Sequence, residues 1–123
     1  MDKKQNNYKY QDFENRTTDF AKRIIRLCRA LLKDSINNPL FSQIVRSSGS
    51  IGANYREANE AVGRKDFLYR LRVARKEAKE THHWLELLQE ANLEFSKRME
   101  ELFKEVVEIR NILSAMISKS EKK

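Results

Sequence analysis

The stretch RSSGSIGANYREAN at residues 46–59 contains residue types that could hold a phosphate group. Gly49 and Gly52 have the GxxG spacing that KH-type domains use to clamp a nucleotide backbone. A KH clamp needs a surrounding three-stranded sheet, and a P-loop needs a preceding strand and a lysine after its last glycine. The sequence offers neither. We therefore interpret the stretch as a helix face with almost no side-chain bulk, whose free space Trp84, Phe103 and Leu113 of the following helices would fill.

Basic residues recur at helical spacing in two segments, residues 22–33 and residues 72–79. The candidate phosphate-binding residues are Lys22, Arg26, Arg29 and Lys33 in the first segment and Arg72, Arg75, Lys76 and Lys79 in the second. Like charges one turn apart repel by a few tenths of a kcal/mol per pair, so both faces need counter-charges. The phosphates of RNA or DNA are one source. The alternatives are another subunit or the acidic residues of the last helix, Glu100, Glu101, Glu105 and Glu108.

His82, His83 and Cys28 are further residues whose types could do chemistry. Glu80 and His83 form one Glu-x-x-His and His82 lies one turn from Glu86, but a di-metal centre in a helical bundle needs two such motifs and two more glutamates. Cys28 falls on an apolar helix face, where a thiol is usually a small inert hydrophobe. We predict no bound metal and no cofactor.

Asn54, Glu57 and Glu60 lie close together on the same predicted helix. A pair of carboxylates could perform acid–base catalysis. Charged groups near helix ends are more often structural, and we interpret these three as capping groups or as partners of Arg56 and Arg64. We predict no catalytic residues, so the protein is not expected to be an enzyme.

Four segments carry apolar residues at three- and four-residue spacing, which predicts four amphipathic helices. We place them at residues 12–34, 39–62, 65–92 and 96–118, with flexible ends, within a single domain covering residues 1–123. Asn38 and Ser96 are predicted N-caps, and Gly63 is predicted to stop the second helix. Short connections bring sequential helices together, so the fold class is an all-α, antiparallel up-down-up-down four-helix bundle.

The composition favours a basic, soluble protein. The net charge is +7 and the pI is near 9.6, which makes an anionic partner plausible without requiring one. A single cysteine excludes an intramolecular disulfide, and the polar start MDKKQNNYKY contains no apolar signal region. No apolar run approaches the roughly 20 residues of a membrane span. We expect a cytoplasmic location and no membrane association.

The segment QIVR followed by SSGSIGANYREANEAVGRKDFLYRLRVARKEAKETHHWLELL, residues 43–88, resembles a bacterial family of four-helix bundles. These are the 23S rRNA intervening sequence proteins, to which the accessory variability determinant (Avd) proteins of diversity-generating retroelements are related. The matching positions include Arg46, Ser50, Ile51, Ala53, Asn54, Glu57, Phe67, Ala74, Glu77 and Leu85. Many members have proline where Gly52 stands and glycine where Ala58 stands.

The resemblance implies a closed bundle that assembles into a ring-like homopentamer without catalytic activity. It also implies structural roles for Arg46, Ser50, Asn54 and Glu57, and a basic surface such as the one through which Avd relatives bind nucleic acid and a reverse transcriptase. With the basic segments, it predicts a homo-oligomer that binds RNA or DNA. The alternative is a scaffold or accessory subunit for a protein partner, docked through the basic segments and Tyr69, His82 or Trp84.

Overall fold

The computed structural model describes the backbone of residues 3–122 and the side chains of residues 11–122. Four long helices account for most of this part of the chain: α1 (Lys3–Ala30), α2 (Asn37–Asn59), α3 (Arg64–Ala91) and α4 (Ser96–Glu121). A single 3₁₀ turn, Leu93–Phe95, precedes α4. The described residues contain no strand. The predicted all-α class and its four helices are therefore confirmed.

Each helix packs on its neighbours in the chain, and α4 also contacts α1. The most extensive interface joins α2 and α3, and the least extensive joins α1 and α4. Within the described residues, no Cα atom of α1 lies within 8 Å of one in α3, and no Cα atom of α2 lies within 8 Å of one in α4. The four helices therefore form a bundle in which the basic segments of α1 and α3 lie at opposite corners.

The apolar stripes of all four helices meet in one core. Its largest fully buried side chains are Tyr55, Phe20, Ile24, Leu27, Ile44, Ile51, Leu71, Leu85, Leu88, Met99, Ile109 and Leu113. Leu32 and Val62, which fall inside the helix ranges predicted above, are 70% and 92% exposed. Both lie in connections, because α1 and α2 end earlier than the periodicity predicts.

The side chain of Lys33 binds the C-terminal end of α1. Its Nζ donates hydrogen bonds to the backbone carbonyls of Cys28 and Leu31, at 2.9 and 2.8 Å, and to that of Arg29 at 3.2 Å. A lysine in this position donates to carbonyls at the C-terminus of the helix and interacts favourably with the helix dipole. The predicted range of the first helix, residues 12–34, is wrong at both ends: α1 begins at Lys3 and ends at Ala30, so Lys33 lies beyond it.

Asp34, not Asn38, caps α2. Its Oδ1 accepts hydrogen bonds from the backbone N–H groups of Ile36 and Asn37, at 3.0 and 2.7 Å. Asn38 already lies inside the helix, so its predicted cap role is wrong. Pro39 follows in the first turn, where its missing N–H costs nothing.

The other two junctions also differ from their predictions. Gly63 does not end α2, which stops at Asn59; it is the residue before α3 and has a φ of +88°, which favours glycine. Ser96 is the first residue of α4 and makes no capping side-chain hydrogen bond. The predicted N-cap role of Ser96 is therefore wrong, and the 3₁₀ turn Leu93–Phe95 leads directly into α4.

Helix α2 runs unbroken through Gly49 and Gly52, which confirms the interpretation of that stretch as a thin helix. The neighbours that use the free space differ from those predicted. Thr17 of α1 lies against Gly52, and the Thr81 hydroxyl of α3 donates a 2.8 Å hydrogen bond to Ser47 Oγ. The small residues of α2 thus let helices on both sides approach closely.

Candidate nucleic-acid interface

The basic face of α1 carries three cations that no acidic residue neutralises. Lys22, Arg26 and Arg29 are exposed, and none forms an ion pair within the described part of the chain. Lys33, the fourth predicted member, is bound to the carbonyls at the end of α1. The exposed face of α1 therefore presents a positive surface of three side chains.

The basic residues of α3 divide into two pairs. Arg72 forms an ion pair with Glu121 of α4, and Arg75 points to Ser114 of α4, with Nη1 3.5 Å from its Oγ. Lys76 and Lys79 are exposed and have no ion-pair partner among the described residues. Half of the predicted α3 set is therefore engaged with α4, and half is free.

The glutamates of α4 do not neutralise the basic face of α1. Glu105 accepts both bonds of a bidentate contact from Arg16, from Nε and Nη2, each at 2.8 Å. Glu108 lies 3.5 Å from the same guanidinium, and Glu101 pairs with Lys104 on its own helix. The Glu105 hydrogen bonds raise the pKa of Arg16 above its usual value, so the Arg16 guanidinium stays charged.

Two arginines that the sequence analysis did not select extend the basic surface of α1. Arg23 of α1 and Arg98 of α4 line a cavity of about 170 Å³ together with Arg26. The side chains of Leu27 and Leu102 complete its lining. The sequence alone does not reveal this cluster, because Arg98 lies more than 70 residues from Arg23 and Arg26 in the chain.

The family-motif residues join α2 to α3. Arg46 Nη1 donates to both carboxylate oxygens of Glu77, at 3.2 and 3.3 Å, and its Nη2 lies 3.7 Å from Glu80. The Asn54 side chain donates a 2.9 Å hydrogen bond to the carbonyl of Ser50 and accepts one from Arg70 at 3.2 Å. These contacts are compatible with the structural roles expected of Arg46, Ser50 and Asn54.

Burial raises the pKa of Glu77 above its usual value, and a hydrogen bond with Glu80 raises it further. The Arg46 guanidinium opposes this shift but does not reverse it. Glu77 is only 9% exposed, whereas the Arg46 side chain is about half exposed. The desolvation of the carboxylate therefore outweighs its attraction to Arg46.

The interpretation of Glu57 as a local partner of Arg56 is not what the structure shows. Arg56 pairs with Glu14 of α1 at 3.0 Å, and Glu57 is exposed without an ion-pair partner among the described residues. Arg64 bonds to the carbonyl of Ser120. The cations at this end of the bundle therefore join different helices.

The cysteine and the histidines occupy ordinary structural positions. Cys28 is buried, and desolvation raises the pKa of its thiol to about 11. His82 Nδ1 lies 3.1 Å from Glu86 Oε1, and the His82 ring packs edge-on against Phe103. Across the described residues, no three His, Cys, Asp or Glu side chains come together as a metal site. In the same part of the chain, no helix is long and apolar enough to cross a membrane.

Comparison with known proteins identifies relatives of the whole bundle. The family model described as 23S rRNA-intervening sequence protein matches residues 10–115. A crystal structure of a protein of unknown function from the S23 ribosomal protein family of Bacteroides thetaiotaomicron is 36% identical and superposes with a TM-score of 0.81. The match covers 89% of this chain and 98% of that one. No curated protein matches. The chain belongs to the 23S rRNA-intervening sequence protein family.

Proposed function

We propose that this protein binds RNA or DNA through contacts to phosphate groups, using the basic faces of α1 and α3. The observation that carries the proposal is the exposed row of Lys22, Arg26 and Arg29, which no carboxylate of the described chain neutralises. Close cations without counter-charges repel one another, and an extended polyanion relieves that repulsion at several positions at once. Lys76 and Lys79 supply a second, smaller basic surface on α3.

Binding of this kind reads the nucleic-acid backbone more than its bases. Lysine and arginine contacts to phosphate position a protein on its ligand but carry no direct sequence information. Each phosphate that a cation neutralises releases counterions, so affinity falls steeply as salt rises. The proposal therefore predicts strong salt dependence with little discrimination between base sequences.

The proposed assembly is an antiparallel up-down-up-down bundle that associates into a ring-like homo-oligomer, a pentamer by resemblance to the family. Contacts between sequential helices support the up-down order: Arg56 near the end of α2 reaches Glu14 of α1, and Ser47 of α2 meets Thr81 late in α3. Several copies of a weak phosphate-binding face in one ring would raise avidity without new contacts.

A second candidate function is a scaffold or accessory subunit for a protein partner. Three large apolar side chains are exposed where the α1–α2 and α3–α4 connections lie: Leu32, Ile36 and Leu93, at 70%, 63% and 62% exposure. Hydrogen bonds between Asn37 and Asn92 hold these two connections together. Exposed apolar groups at one end of a bundle favour contact with protein, either another copy or a different partner. Tyr69, 58% exposed on α3, is a further candidate contact.

The proposed activity is binding without catalysis. The Cys28 thiol is buried and remains protonated near neutral pH, which makes it a poor nucleophile. Asn54, near the carboxylates that could have formed an acid–base pair, bonds to Ser50 and Arg70. Both features support a structural use of these residues.

The proposal is tested with purified, nuclease-treated protein. Its affinity is measured for a ribosomal RNA fragment, an unrelated RNA of equal length and duplex DNA, each across a series of salt concentrations. We expect binding to at least one of these ligands. The logarithm of its affinity should fall linearly with the logarithm of the salt concentration. Absence of binding at low salt by folded protein would overturn the proposal and favour the protein-scaffold function.

A further inference from the structure

The interface between α1 and α4 contains two arginine sites. They lie seven residues apart along each helix. Arg16 and Arg23 are seven residues apart on α1, and Glu105 and Arg98 are seven residues apart on α4. Residues at this spacing lie on nearly the same face of a helix, two turns apart. Arg16 therefore faces Glu105 at one level, and Arg23 faces Arg98 at the next.

The two levels differ in their charge balance. At the first level, Glu105 and Glu108 surround the Arg16 guanidinium at 2.8 and 3.5 Å. At the second level, Arg23, Arg26 and Arg98 line a single cavity, and none of them has a carboxylate partner among the described residues. Three positively charged side chains around one cavity repel one another unless an anion lies between them.

The cavity suits a small oxyanion. Its volume is about 170 Å³, which leaves room for one tetrahedral anion together with water, since a water molecule occupies about 30 Å³ in the liquid. Guanidinium groups offer paired N–H donors whose geometry matches two oxygens of a phosphate group. The buried side chains of Leu27 and Leu102 form an apolar wall, which excludes water from one side of the arginines and strengthens their attraction for an anion.

We propose that Arg23, Arg26 and Arg98 form a discrete binding site for a single phosphate group between α1 and α4. The phosphate could be free phosphate, or one group in the backbone of a nucleic acid. In the second case the site rests on the proposed function, and it fixes one phosphate while Lys22 and Arg29 contact the chain on either side. In the first case the site stands even if nucleic acid is not bound.

The test measures thermal unfolding in potassium phosphate and in potassium chloride at equal ionic strength and pH. We expect phosphate at about ten times its Kd to raise the Tm of the unaltered protein by about 3–6 °C over chloride. Arg23→Gln and Arg98→Gln should lose that difference, whereas Arg110→Gln, which removes the same charge elsewhere on α4, should retain it. Equal Tm values in the two salts for the unaltered protein would overturn the site, as would an undiminished phosphate effect in Arg23→Gln and Arg98→Gln.

A third variant separates loss of the site from loss of the fold. Arg98→Glu would recreate at the second level the charge arrangement that Arg16 and Glu105 have at the first. We expect it to raise the Tm in chloride and to abolish the phosphate effect. A variant that still gained Tm in phosphate would contradict the site, since its anion-binding charge would already be neutralised.

The source of the phosphate follows from RNA affinity in the same variants. A drop of at least fivefold for Arg98→Gln relative to Arg110→Gln at equal salt would assign the site to a nucleic-acid phosphate. Equal RNA affinities in Arg98→Gln and Arg110→Gln, with a phosphate effect on Tm that is present in the unaltered protein and lost in Arg98→Gln, would assign it to free phosphate. If the unaltered protein bound no RNA but gained Tm in phosphate, the proposed function would fail while the phosphate site remained.

Discussion

Gly52 of α2 lies directly against Thr17 of α1: a methyl group added to Gly52 would lie 2.9 Å from Thr17 Oγ1 and 3.4 Å from its Cβ. Thr17 is 1% exposed, and its hydroxyl is engaged with the carbonyl of Glu14 at 2.9 Å, so it has little freedom to move away. Gly49, one turn earlier, has no neighbouring atom within 4 Å of the same methyl position. The two glycines of the thin helix therefore have different roles.

Alanine substitution distinguishes these roles. Alanine is favoured over glycine inside a helix by about 1 kcal/mol, so Gly49→Ala should increase the free energy of unfolding by about that amount. Gly52→Ala gains the same helix propensity but overpacks against Thr17, at a cost of about 1–3 kcal/mol, so we expect a net loss of about 1 kcal/mol. Urea unfolding of both variants measures the difference. Stabilisation by both substitutions would show that α1 and α2 do not need their close approach.

The bidentate pair of Arg16 and Glu105 should stabilise the α1–α4 interface, the least extensive of the bundle. Glu105→Gln keeps the side-chain shape but removes the charge, and we expect it to lower the free energy of unfolding by about 1 kcal/mol. The matched control is Glu101→Gln, because the ion pair between Glu101 and Lys104 is about 70% exposed on both sides. Such surface pairs contribute about 0.2–1 kcal/mol or less. In chemical denaturation at low salt, Glu105→Gln should lower the free energy of unfolding more than Glu101→Gln does. Equal losses would contradict a stabilising role of the Arg16–Glu105 pair.

Asn37 and Asn92 should hold the two connections at one end of the bundle together. Their side-chain amides exchange two hydrogen bonds of 2.9 Å, and both residues are at most 3% exposed. Asn37→Ala would leave the Asn92 carbonyl oxygen buried without its donor, and we expect a loss of about 2 kcal/mol. Asn38→Ala is the control, because the exposed Asn38 is not the helix cap and should change stability by about 0.5 kcal/mol or less. Denaturant unfolding of both variants tests this, and a larger loss for Asn38→Ala would restore Asn38 as the cap.

The raised pKa of Glu77 predicts a pH dependence of stability with a definite sign. An acid whose pKa is higher in the folded than in the unfolded protein contributes most stability below its unfolded pKa, about 4.3, and loses that contribution as pH rises through the folded pKa. The stability of the unaltered protein relative to Glu77→Gln should therefore decrease as pH rises from 4 towards 8. Tm values of both proteins across this range give the difference. A difference that increases with pH would mean that the Arg46 ion pair outweighs the burial of Glu77.

The sequence predicted the helices and most of their buried positions, because helical periodicity is a local property. Ile44, Ile51 and Tyr55 remain in phase across the glycines of α2, and all three are buried. The helix ends were harder to predict, since contacts outside the periodic pattern determine them. Lys33 and Asp34 end α1 and begin α2 through hydrogen bonds to backbone groups that become available only when the chain turns.

The candidate interface was only partly predictable for the same reason. The spacing of Lys22, Arg26 and Arg29 on one helix revealed their common face. The pairing of Arg72 with Glu121 and the cavity shared by Arg23 and Arg98 depend on how α4 aligns with its neighbours. That alignment joins residues far apart in the chain, and no pattern within a single helix specifies it.

Phosphate binding by the free cations of α1 is tested by the salt dependence of RNA affinity after these charges are removed. A triple variant, Lys22→Gln, Arg26→Gln and Arg29→Gln, is compared with the unaltered protein on one single-stranded RNA. A matched triple variant replaces Arg72, Arg75 and Lys104 by glutamine. Arg72 pairs with Glu121 and Arg75 lies beside Ser114, both on α4, and Lys104 pairs with Glu101 on its own helix, α4.

Each lost phosphate contact should reduce the slope of log affinity against log salt by about 0.7. We predict a slope that is smaller by about 2 and an affinity that is at least tenfold weaker at low salt for the α1 variant, with a smaller change for the matched variant. An unchanged slope and affinity in a folded α1 variant would contradict phosphate binding by Lys22, Arg26 and Arg29.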